Sequence, residues 1–93
     1  MPKHHDLKCF TKQFQPIVNS EKRSIVRYDD RKYTIGDTVT LREGRPEADG
    51  FEYTGRSISA RISYIDDFGC QTGYLNLSLS SVGMLIVNDK VPG

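Results

Sequence analysis

The chain has no tryptophan, two cysteines and two histidines among 93 residues, and it has no long apolar run. Each shortage excludes something. Cys9 and Cys70 belong to no C-x-x-C pair, and the histidines, His4 and His5, are adjacent. No zinc-ligand spacing results, and the expectation is two reduced thiols, buried or half-buried, with no metal and no cofactor. No stretch approaches the roughly 20 apolar residues that cross a bilayer, and the charged start MPKHHDLK lacks the apolar core of a signal peptide. The reading is a cytoplasmic protein without a membrane partner. G-x-S-x-G, P-loop, G-x-G-x-x-G and H-E-x-x-H patterns are all absent, so no catalytic residue is nominated.

What is present suits one small globular domain over residues 1–93, with 37% hydrophobic and 27% charged residues. DLKCF alternates as a strand, and Thr11 is placed to cap a helix of one to two turns with Phe14, Ile17 and Val18 on one side, limited by Pro16. RSIVRY reads as a second strand, with Arg23, Ile25 and Arg27 on one face. DDRK reads as a turn, TVTLRE as a half-buried strand and GRPEADG as a polar loop. The clearest period-2 pattern puts Ile58, Ala60, Ile62 and Tyr64 on one face and Ser57, Ser59, Arg61 and Ser63 on the other. After the turn DDFGCQTG, Leu75, Leu77 and Leu79 alternate again, and MLIV adds a last edge strand. The fold class expected is α+β, mainly β: a small barrel of five or six strands with one or two short helices. Tyr33 and Tyr53 are expected to fill its ends, and the chain from about residue 88 is expected to be a flexible tail.

Charge is uneven. Residues 1–33 hold eight Lys/Arg against four Asp/Glu, a balance of +4, and residues 34–93 a balance of −3. Lys8, Lys22, Arg23, Arg27, Arg31 and Lys32, with His5, Tyr28 and Tyr33 among them, combine guanidinium forks, mobile ammonium groups and aromatic rings. That mixture suits phosphate and a stacked base. The bland reading is a set of solvated charges, with Asp29 and Asp30 pairing Arg27 or Arg31, and a surface or strand-end role for His5.

In order along the chain, these residues also form a pattern. A His-x-Leu-Lys strand is matched by His5-Asp6-Leu7-Lys8. A Gly-x-Lys-x-x-Glu-x-Arg segment is matched at Lys22 and Arg27, and Asp30, Arg31, Tyr33, Gly36 and Asp37 follow without a gap. Leu41-Arg42-Glu43 and Tyr53-Thr54-Gly55-Arg56 complete it. From His5 to about Val82 the chain resembles the ASCH family of the PUA-like superfamily, in particular a small bacterial and phage branch. Ser20 replaces the usual glycine, so the turn there is expected to use another conformation, and Ile25 replaces the usual glutamate.

The resemblance implies a PUA-like barrel with a cleft, between barrel and helix, for RNA or a nucleotide. His5, Lys8, Lys22, Arg23, Arg27 and Arg31 are its candidate binding residues. Arg27 would face the cleft, Asp30 and Arg31 would brace the turn, and Gly36-Asp37 would start the next strand. Some ASCH proteins are similar to amidohydrolases that deacylate a modified cytidine with a lysine, a threonine and a glutamate. Lys22 matches the lysine, but Ile25 stands at the threonine position and no glutamate is placed, so this is the alternative reading. A protein-binding accessory factor is the third.

Overall fold

The computed structural model describes residues 2–87; the tail expected from about residue 88 lies outside them. Seven elements follow one another: β1 (His4–Phe10), α1 (Thr11–Val18), β2 (Ser24–Tyr28), β3 (Thr38–Glu47), β4 (Gly50–Asp66), β5 (Tyr74–Ser80) and β6 (Ile86–Val87). The domain is mainly β, with six strands and one short helix, as the patterning predicts. One sheet holds every strand in the order β1-β3-β4-β5-β2, with β6 on β4. β1 and β3 run parallel and the other pairs antiparallel.

Strand alternation builds the core. Leu7 and Cys9, Val39 and Leu41, Ile58, Ala60 and Ile62, Leu77 and Leu79, and Ile25 all turn to the same inner face. Helix α1 lies against β1 and β3 and adds Phe14 and Ile17, both fully buried. Thr11 does not cap it. Phe10 occupies the cap position, and the Thr11 hydroxyl donates instead to the carbonyl of Gly44 at 3.4 Å. Pro16 sits inside the helix, and its carbonyl accepts the Glu21 and Lys22 amides as the helix ends.

Three more expectations are corrected. GRPEADG is not a loop: β3 runs on to Glu47 and turns back at Ala48-Asp49 into β4. Proline is tolerated because β1 stops pairing at Gly44, so β3 has no neighbour on that edge at Pro46. Tyr64 does not join Ile58, Ala60 and Ile62. The register shifts between Ile62 and Tyr64, which reverses the alternation and leaves Tyr64 58% exposed, with Ile65 packed against the core. Ser20 does not avoid the left-handed conformation that glycine adopts most readily but takes it up (φ 62°); the chain must reverse there after the helix, and the Ser20 amide bonds to the Ile17 carbonyl.

The sheet is curved around its core, but it does not close. Among the described residues, β1 and β2 are the two ends of the strand order and do not pair with each other.

Candidate functional site

The unclosed seam is where two strand edges are left without a partner. The Arg23 carbonyl and the Asp29 amide both bond to the β5 side, so the backbone groups of the intervening Ser24 and Val26 turn to the other edge, toward the seam. Arginines from the β2 side take the place of a ladder. Arg27 Nη1 donates to the Lys8 carbonyl at 2.8 Å, and Arg31 Nη1 to the Asp6 carbonyl at 3.1 Å.

Beside the Arg27 strap lies a cavity of about 320 Å³, lined by Lys8, Cys9, Phe10, Gln13, Ile25, Val26, Arg27 and Leu41. Its walls come from β1, the first turn of α1, β2 and β3. The lining is amphipathic: Ile25 and Leu41 are core residues, Val26 and Phe10 are half-exposed, and the two cations stand beside them. Burial pushes the Cys9 thiol up to about 11, against the charges of Arg27 and Lys22 and with that of Glu43. At neutral pH it is a thiol, a small apolar wall and not a nucleophile.

Two buried polar networks hold the ends of β1. Near its start, the Asp37 carboxylate accepts the Lys3 amide (2.8 Å), the His5 Nε2 (2.8 Å) and the Thr34 amide (3.0 Å). Burial alone pushes this carboxyl up, but those three donors outweigh it and hold it at about 2. The His5 ring packs edge-on against Tyr33, with centroids 4.8 Å apart. The Tyr33 hydroxyl is buried with no hydrogen-bond partner. Burial raises its pKa, while the nearby Arg27 and Arg31 charges oppose the shift.

Near the other end, Glu43 is 2% exposed and accepts a two-pronged bond from Arg56 (Nε to Oε1 2.7 Å, Nη2 to Oε2 2.8 Å) and another from the Thr54 hydroxyl (2.7 Å). These bonds, the Arg56 pair foremost, outweigh burial and hold the carboxyl below the usual range. The Arg56 guanidinium also lies 5.2 Å from the centre of the Phe14 ring.

The structure divides the residues nominated from sequence. Lys8 and Arg27 line the cavity together. Arg31 straps the same seam two residues earlier on β1, at Asp6. Lys22 and Arg23 line a separate hollow of about 180 Å³ with Ile17, Ser20, Leu79, Ser80, Ser81 and Val82. His5 is neither a surface residue nor in the cavity lining; its Asp37 bond buries it to 6% exposed. Tyr33 is in the core as expected, but Tyr53 is 47% exposed and packs on Phe51. Asp37 and Glu43 were not singled out as buried anchors. The available signal was the order of the motif, which contains both without saying what each bonds.

A family model covers residues 4–79, from the first residue of β1 to the penultimate residue of β5. The chain belongs to the family described as Domain of unknown function (DUF3850). It is also similar to the "Uncharacterized 12.9 kDa protein in GpA 3'region" of Escherichia phage P2, at 37% identity over 67 residues, which are 72% of this chain. The match spans 58% of that relative's length. The matched family region thus includes both seam strands, both strapping arginines and both buried carboxylates. Among the described residues, no helix is long and apolar enough to cross a membrane, and no group of three or more metal-ligating side chains is present.

Proposed function

We propose that this protein is a nucleic-acid-binding or nucleotide-binding module, with RNA as its first ligand class, and that the seam cavity is its binding site. The supporting observation is the meeting of Lys8 and Arg27 at a cavity of about 320 Å³ whose other walls, Gln13 apart, are apolar. A base needs a flat apolar surface and a phosphate needs a cation, and both stand at one opening. The volume is at the lower end of the range for small-molecule pockets. The ASCH resemblance is part of this reading, as is a cytoplasmic location, which the two free thiols support.

The amidohydrolase alternative gains nothing from the geometry. Lys22 lines the other hollow, Ile25 is buried in the core, and both oxygens of Glu43 are bonded to Arg56.

The test is fluorescence anisotropy with labelled single-stranded RNA at two salt concentrations, for wild type, Lys8→Gln, Arg27→Gln and Lys22→Gln, each checked for folding by circular dichroism. The expected result is salt-sensitive binding weakened by the first two substitutions and little changed by the third. Equal binding by all four proteins sinks the seam as the site. If RNA is not bound but a protein is retained after nuclease treatment, the accessory-factor reading replaces this one.

A further inference from the structure

The seam cavity continues outward onto an aromatic wall. Past Gly44, β3 and β4 project beyond the end of β1 as a two-stranded arm, with Pro46 opposite Phe51 and Gly44 opposite Tyr53. The Phe51 ring stacks beside Phe10 (centroids 6.0 Å, planes 27° apart) and meets Tyr53 edge-on at 5.0 Å. Lys8 Nζ stands 5.4 Å from the centre of the Phe51 ring. Phe10 and Lys8 also line the cavity, so cavity and wall form one continuous surface.

This wall is not core packing. Phe10 is 53% and Tyr53 47% exposed, and neither belongs to the buried cluster. The backbone makes room for it: a Cβ on residue 44 would collide with the Phe51 ring and the Glu52 carbonyl, so the ring lies where a side chain would otherwise be. The carboxylates around the wall are ion-paired, apart from Asp49 at the exposed turn of the arm. Asp6 pairs with Arg42 at 3.3 Å, and Glu47 and Glu52 both pair with Arg45. Lys8 and Arg27 are the cations that share the opening with the rings.

Resting on the proposed function, we infer that the ligand is an extended single strand of several nucleotides. One unit sits in the seam cavity, and its neighbours stack on Phe10, Phe51 and Tyr53, their phosphates passing Lys8. A mononucleotide would leave the wall uncovered. A duplex would keep its bases stacked on each other and unavailable to the rings. Charge favours this occupant over an uncharged or basic peptide, because its phosphates answer the two cations at the opening, Lys8 and Arg27.

The experiment measures fluorescein-labelled hexaadenylate RNA by anisotropy, with unlabelled adenosine monophosphate and an RNA duplex as competitors, on wild type, Tyr53→Ala and Tyr53→Phe. Hexaadenylate should outcompete both by tenfold or more. Tyr53→Ala should weaken it about tenfold and narrow its margin over the mononucleotide, while Tyr53→Phe keeps the ring and the affinity. Mononucleotide or duplex binding as tight as the hexamer overturns the wall and leaves the cavity standing. So does an unchanged affinity in a folded Tyr53→Ala protein. No binding by any probe overturns the proposed function itself, and the wall with it.

Discussion

Arg27 reaches across the open seam to the backbone of Lys8, and it lines the same cavity as Cys9. A side chain here does what a strand ladder does elsewhere in the sheet. It can be released without breaking a strand pair.

The two cysteines report on that strap. Cys70 is half-exposed and Cys9 is buried with its thiol pushed up to about 11. With a thiol reagent at pH 8, one fast and one slow reaction are expected in the wild type. Arg27→Ala should accelerate the slow one severalfold while the circular dichroism spectrum is retained, because the access gained at the seam outweighs the thiolate fraction lost with the Arg27 charge. An unchanged slow rate would mean that Arg27 does not control entry to the seam.

Glu43 and Arg56 predict a non-additive pair. Removing Arg56 alone leaves a nearly fully buried carboxylate without its main partner, and Arg56→Met should cost about 3 kcal/mol or more. The double variant Glu43→Leu/Arg56→Met should recover most of that loss. Urea unfolding of the four proteins measures the coupling, and additive effects would show the pair to be worth no more than a surface bridge.

Asp37 predicts an acid limb. Its carboxyl lies at about 2 in the folded protein against an ordinary 3.8, so the unfolded chain takes up the proton first. Its contribution is therefore fully present above about pH 4 and is lost as pH falls through about 2; a downward shift near two units corresponds to roughly 2 kcal/mol. Asp37→Asn should lower stability at pH 7 and flatten the dependence between pH 4 and pH 2. Parallel curves for the two proteins would show that another group sets the acid limb.

Ser20 predicts a gain. A left-handed conformation costs a side-chain-bearing residue roughly 1–2 kcal/mol, and glycine returns part of that as lost freedom on folding. Ser20→Gly should stabilise by up to about 1 kcal/mol, read as a rise of several degrees in Tm. A fall in Tm would show that the serine side chain contributes more than its backbone costs.

Local patterning carried the strands well where each residue follows the one two before it. Leu75, Leu77 and Leu79, or Ile58, Ala60 and Ile62, need only the pleat. The same rule failed at Tyr64, because a register shift spends one residue without advancing the partner strand. It also failed at GRPE, where glycine and proline mark turns in most contexts but here lie on a strand with one free edge. The site was less legible for another reason. His5 with Asp37 and Glu43 with Arg56 are 32 and 13 residues apart, and only the register of β1 on β3 and of β3 on β4 brings them together. A basic cluster contiguous in sequence was likewise split, because the reversal at Ser20 sets Lys22 and Arg23 beside β5 before β2 carries Arg27 back to β1.

The projecting β3–β4 arm has a free edge on its β1 side, and an unpaired edge is where a foreign strand adds and copies begin to aggregate. Pro46 sits on that arm without an amide hydrogen, so a chain laid along it finds one rung missing. The arm can therefore offer its rings to a ligand while refusing its backbone to a neighbour.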